Sequence, residues 1–139
     1  MLNKALEICY KAHKQQVDKG GNPYYLHPIQ VALMCDTNQE KIVALLHDVL
    51  EDTTYNIEDL KKAGFDNNII EAIMCLTKTK DEEYDQYIKR VITNPIAKKV
   101  KKNDLIHNSD LSRIKEITSE DLKRIEKYKK YIQILNHSK

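Results

Sequence analysis

Histidine and aspartate stand side by side at His47-Asp48, and two more acids follow at Glu51-Asp52. Residues four apart share a helix face, so an unbroken helix stacks Glu51 over His47 and Asp52 over Asp48. The run leading in, Ala44-Leu45-Leu46, is apolar. It delivers polar groups to a buried point where they cannot stay unpaired. A divalent cation would satisfy them, and the chain carries further donors for one. Upstream, Asn22-Pro23-Tyr24-Tyr25-Leu26-His27-Pro28 supplies a histidine beside a proline suited to the first turn of a helix. Downstream, Lys101-Lys102-Asn103-Asp104-Leu105-Ile106-His107-Asn108 supplies an aspartate with an asparagine one turn on. His27, His47, Asp48 and Asp104 thus make a set of two imidazoles and two carboxylates from three predicted helices. Such nitrogen and oxygen donors suit Mn, Fe, Co or Zn and leave positions for water on an octahedral ion. Glu51 and Asp52 fall at the predicted end of their helix, where the dipole disfavours negative charge. Acids held there point to a cation or a proton-transfer task nearby. His107 lies one position off the Asp104–Asn108 stripe and is expected to pack on a ligand or hydrogen-bond to it. His13 is expected to be structural or to support a ligand.

The elements that must position these groups read as helices. Apolar residues recur at helical spacing over 3–16, 28–35, 39–50, 57–63, 67–77, 84–92, 95–114 and 119–135. Gly64 is the stop signal of the fourth, Pro95 opens the seventh, and Ser119 is the expected cap of the last, with Glu120 and Asp121 in its first turn. Residues 18–23, Asp-Lys-Gly-Gly-Asn-Pro, form the first clear loop. Period-two alternation does not persist beyond three or four residues. The expectation is an all-α fold of about seven or eight helices.

A chain of 139 residues is expected to be a single domain over 1–139, with no room for a second catalytic domain. Charged residues reach 32% while Gly and Pro number three each, which favours helices joined by short loops. A net charge of +2 does not argue for nucleic acid. The cluster Lys98, Lys99, Lys101 and Lys102 reads as the exposed side of a helix, without the interleaved aromatic residues of a nucleic-acid surface. Cys9, Cys35 and Cys75 lack metal-binding spacing and are expected to be reduced and packed, as in the cytoplasm. No apolar run approaches the ~20 residues of a membrane span. The N-terminus reads as amphipathic helix rather than signal peptide, so a cytoplasmic protein is expected.

The order His27 … His47-Asp48 … Glu51-Asp52 … Asp104 … His107-Asn108 resembles the HD-domain phosphohydrolases. Within these it is most similar to the hydrolase domain of the RelA/SpoT stringent-response enzymes and to the small stand-alone alarmone hydrolases. Ala12-His13-Lys14-Gln15-Gln16, Leu76-Thr77-Lys78 and the stretches around the ligands carry the likeness, over roughly residues 10 to 115. The resemblance implies a single HD-domain helical fold with its C-terminal helix at about 119–135. It implies one Mn2+ on His27, His47, Asp48 and Asp104, and Glu51 and Asp52 activating or positioning water. It also implies Asn108 on the ribose side of a nucleotide, and Lys19, Lys78 and Arg113 neutralising phosphate charge. The implied reaction removes the 3′-pyrophosphate of ppGpp, giving GDP and pyrophosphate. Two residues depart from the pattern: Asp18 precedes Lys19, and Asp110 follows the His-Asn pair, where the family carries arginines. Both put negative charge near the expected nucleotide. Two alternatives stand beside this reading: an HD phosphohydrolase for another nucleotide, and a nucleotide-binding sensor without turnover. A sensor should have lost a ligand or an acid, and this chain retains them all.

Overall fold

The computed structural model describes residues 1–138. Among them are nine α-helices and no β-sheet: α1 (Leu2–His13), α2 (Leu26–Leu33), α3 (Asn38–Leu46), α4 (Val49–Asp52), α5 (Ile57–Lys62), α6 (Asn67–Leu76), α7 (Tyr84–Ile92), α8 (Pro95–Asn108) and α9 (Ser119–His137). A short 3-10 helix, Leu111–Arg113, follows α8. The all-α expectation holds, and all eight predicted helices are present. The third is divided in two.

Local chemistry sets the helix starts. Thr37 with Glu40, Asn56 with Asp59 and Thr118 with Asp121 each form a reciprocal capping box. The cap of α9 is therefore Thr118, and Ser119 is its first helical residue rather than the cap. Asn94 accepts from the Ala97 amide ahead of Pro95, whose missing N–H is one of the unpaired donors of a first turn. Gly64, at φ +96°, follows α5 in a left-handed conformation that stops the helix.

The centre of the molecule is α3, which packs against α1, α2, α6 and α8. Ile42 through Leu46 are all buried, so the helix has no solvent face along this stretch. Helix α8 lies between α3 and α9 and also meets α2, α6 and α7. Donors on α2, on α8 and just beyond α3 therefore converge. Three boundaries differ from the sequence reading by more than two residues. Helix α1 stops at His13 rather than 16; α8 stops at Asn108, and Asp110 caps the 3-10 turn that follows by accepting from Ser112 N. Helix α3 ends at Leu46, and Asp48 heads the separate turn α4.

Among the described residues no helix is long and apolar enough to cross a membrane. The three cysteines are unpaired, with Cys9 and Cys35 buried and Cys75 partly so.

Candidate active site

His27 Nε2 and His47 Nε2 lie 2.7 and 3.3 Å from the same oxygen, Oδ1 of Asp104. All three residues are buried, and their donor atoms fall within 4.8 Å of one another. Asp48 adds a second carboxylate, with Oδ2 3.0 Å from His47 Nε2. Two imidazole nitrogens and the Asp104 carboxylate turned on one point, with Asp48 beside His47 but outside that group, fit a divalent ion of the first transition row.

Each donor is held by its neighbours. His47 Nδ1 faces the Ala44 carbonyl and donates to it, which leaves Nε2 as the inward nitrogen. His27 Nδ1 lies 2.7 Å from Nδ1 of His107, and the two rings stack at 5.0 Å. With Nε2 of His27 turned to a cation, Nδ1 carries the hydrogen and donates to His107. Burial first, then Arg113 and His27, push the His107 imidazole down to about 4, in keeping with an acceptor that stays neutral. His107 thus supports a ligand, as its offset from the stripe suggested. Tyr24 donates its hydroxyl to Asp48 Oδ2, and Asn108 Nδ2 donates to Asp104 Oδ1 at 3.2 Å. Burial opposes charge on His47, but Asp48 and Asp104 outweigh it and raise its proton affinity well above the ordinary range. Burial likewise opposes ionisation of Asp104, yet Lys101 and His47 hold its carboxyl well below the usual range. The cluster is anionic at heart and gathers positive charge around itself. A metal would displace the proton at His47 Nε2.

Glu51 and Asp52 are exposed on α4, not on the end of α3. The stacking of Glu51 over His47 drawn from one continuous helix is corrected accordingly, since the helix breaks at His47-Asp48, whereas Asp52 stays one turn from Asp48, its amide donating to the Asp48 carbonyl. Glu51 accepts from the Lys78 amide. Partial desolvation is the largest influence on both acids and raises their pKa; Asp48 adds to the effect. Behind them, His13 is buried, with Nδ1 3.0 Å from Gln16 Oε1, and Gln16 Nε2 donates to the Asp52 carbonyl.

A cleft of about 400 Å³ adjoins the centre. It brings together Lys19, Asn108 and Arg113, and adds Tyr24, Arg124 and Tyr128. Lys78 stands apart, sharing a recess with Glu51, Asp52 and Lys80. Arg113 Nη1 donates to the His107 carbonyl at 2.9 Å and to Asn108 Oδ1 at 3.2 Å. Asp121, whose side chain is 3% exposed, pairs with both Lys19 and Arg124. The two acids that depart from the family pattern are engaged as scaffolding. Asp18 Oδ1 accepts from the amides of Gly20 and Asn22, and Asp110 Oδ1 accepts from Ser112.

The lysine cluster on α8 is not an exposed basic face. Lys98 donates to the Ser138 carbonyl, Lys99 pairs with Asp36, and Lys101 turns inward to Asp104. Lys101 and Arg124 escaped the sequence reading because lysine and arginine on a mixed helix look like solvated surface, and Asp121 read only as a first-turn acid of the last helix. Tyr24 carried a usable signal in its place three residues before His27, in the turn that leads into α2, where its carbonyl accepts from the His27 amide.

No protein-family model matches the chain. It is 43% identical over 82 residues to the guanosine-3′,5′-bis(diphosphate) 3′-pyrophosphohydrolase of Borreliella burgdorferi, covering 56% of this chain and 12% of that protein. It is 32% identical over 100 residues to the enzyme of the same name from Aquifex aeolicus, covering 66% of this chain and 14% of that protein. The chain therefore spans only a small part of these curated relatives. A solved structure, described as a metazoan orthologue of SpoT that hydrolyses ppGpp, superposes with a TM-score of 0.79 at 25% identity, covering 99% of this chain and 86% of the other. Likeness in sequence and in fold converges on one relationship: this all-α chain has an HD-domain-like fold with a His/His/Asp triad, and it is homologous to the (p)ppGpp hydrolase domains of the RelA/SpoT family.

Proposed function

We propose that this protein is a metal-dependent phosphohydrolase of the cytoplasm that removes the 3′-pyrophosphate from ppGpp or a close guanosine relative. The observation that carries the reading is a shared wall. Tyr24 and Asn108 hold the metal donors Asp48 and Asp104 and also line the cleft that carries Lys19, Arg113 and Arg124. A phosphorylated nucleotide in that cleft reaches the centre directly.

One Mn2+ would be held by His27, His47 and Asp104, with Asp48 as the fourth ligand. When bound, such an ion polarises a phosphoryl oxygen and makes a neighbouring water acidic. Glu51 and Asp52 accept the proton of the attacking water and orient it, and their raised pKa values bring them closer to neutrality, where a general base works best. The Lys78 amide fixes the Glu51 carboxylate for this task. Asn108 meets the ribose side while keeping Asp104 in place. Arg113 and Lys19 balance phosphate charge on the cleft side as it shifts in the transition state, and Lys78 does so beside the acids. Tyr128 offers its ring to the base.

The test is a product analysis. Full-length protein loaded with Mn2+ should convert ppGpp to GDP and pyrophosphate in equal amounts, resolved by ion-exchange chromatography beside a panel of other nucleotides. Chelation of the metal, or Asp104→Ala, should abolish both bound metal and turnover. Release of orthophosphate alone, or a metal content unaffected by Asp104→Ala, overturns the reading.

A further inference from the structure

Lys101 neither holds the ion nor meets the nucleotide in the reading above, yet its ammonium lies 3.0 Å from Oδ2 of Asp104, and its side chain is only 13% exposed. The two oxygens of this carboxylate are divided. Oδ1 meets His27, His47 and Asn108, while Oδ2 meets Lys101. The lysine is not free to wander. It sits one turn before Asp104 on α8, and its Nζ lies 5.2 Å from the ring centre of Tyr87 and 5.9 Å from that of Tyr84. Aromatic faces favour a cation there while excluding the water that would screen it.

A fixed cation beside a metal ligand repels a divalent ion, so tight metal binding is not what this lysine serves. Its effect is on the carboxylate. With Oδ2 engaged, Asp104 cannot turn both oxygens to the same point. We propose that Lys101 is a positioning residue that withholds Oδ2 of Asp104, so that this ligand gives the ion a single oxygen and a coordination position stays open for the reaction, at the expense of metal affinity. The inference rests on the metal-dependent reading above.

Calorimetric titration of the metal-free full chain with Mn2+, together with kcat and KM on ppGpp, tests it in wild type, Lys101→Met and Lys101→Arg. Lys101→Met should bind Mn2+ about tenfold more tightly, because the opposing charge is gone. It should also lose on the order of 100-fold in kcat through misplacement at the centre, with little change in KM. Pulsed EPR of bound Mn2+ should count fewer water ligands in this variant, a change that a loss of fold stability alone would not produce. Lys101→Arg, which keeps the charge and a donor, should return affinity and rate toward wild type. If Lys101→Met folds only with metal, it is purified with Mn2+ and its affinity read by competition with a chelator. Weaker Mn2+ binding, an unchanged kcat or an unchanged water count in Lys101→Met overturns the role of Lys101. A wild type that binds no Mn2+ overturns the metal-dependent reading itself and this inference with it.

Discussion

Asp18 stands where the family pattern carries an arginine, so the natural engineering step is Asp18→Arg, and the structure predicts that it fails. The carboxylate is a scaffold for the loop that delivers Lys19. Its Oδ1 accepts from Gly20 N and Asn22 N, each at 2.9 Å, while the backbone closes on itself from Asp18 N to the Asn22 carbonyl at 2.8 Å. Hydrogen bonds to a charged acceptor contribute about 1.5–3 kcal/mol each. The Asn22 bond is exposed, and water can replace it, so loss of both should cost about 2–3 kcal/mol rather than their full sum. At roughly 3–4 °C per kcal/mol for a domain of this size, Asp18→Ala should lower Tm by about 6–12 °C. Where the loop must instead be ordered by substrate, about 2 kcal/mol raises KM by roughly 30-fold and leaves kcat nearly unchanged.

Asp18→Asn is the control. Its amide oxygen can accept the same two bonds in weaker, uncharged form, and it also gives up the attraction to Arg113, 3.8 Å away, which is worth at most about 1 kcal/mol. Thermal unfolding and steady-state kinetics on the three variants separate scaffold from charge. Asparagine should stay closer to wild type than to alanine, and arginine should be as damaged as alanine or worse, since it places a second guanidinium beside Arg113. A several-fold gain in kcat/KM for ppGpp in Asp18→Arg would refute the scaffold argument, as would an asparagine variant as damaged as alanine.

The same residue shows where sequence reasoning reaches and where it stops. His27, His47 and Asp104 were legible because donor type, order and helical context each limit the alternatives, and only a shared site satisfies three buried polar groups. Asp18 was legible as a departure in charge but not as a loop anchor, although Asp-Lys-Gly-Gly-Asn is a turn signature that asks for a side-chain acceptor. The break after Leu46 had no local signal. Ala44 through Leu50 contains neither Gly nor Pro, and the interruption is fixed from a distance by Tyr24 on Asp48 and by the convergence on Asp104. Lys101 was hidden for a related reason: four lysines in five residues look solvated until Tyr84 and Tyr87 on α7 are seen to close over one of them. Local pattern places donors on elements, whereas which face of α8 is wet depends on what packs against it.

Three further perturbations test other parts of the assembly. Glu51→Gln should keep bound metal and Tm while lowering kcat by about 100- to 10,000-fold, because an amide cannot accept the proton of water; unchanged turnover would move that task to Asp52. Gly20→Ala should lower Tm and raise KM together, since its added Cβ would stand 2.3 Å from the Arg113 carbonyl oxygen, and forced overpacking costs about 1–3 kcal/mol. Asp121→Asn should change the acid limb of stability. Hydrogen bonding from Lys19, then from the Thr118 amide and Arg124, holds the Asp121 carboxyl well below its ordinary 3.8. A carboxyl lowered in the folded state stabilises fully above its unfolded pKa, and that contribution fades as pH falls through the folded one. Wild type should therefore exceed Asp121→Asn most near neutrality, and the gap should shrink steadily below about pH 4 as the unfolded chain takes up a proton that the folded chain still refuses. Every other carboxylate titrates in both proteins, so the difference between their urea-unfolding curves isolates this residue. A gap that stays constant from pH 7 to pH 3 would mean that Asp121 stabilises α9 as a neutral cap alone, and that its ion pairs to Lys19 and Arg124 do not tie that helix to the cleft.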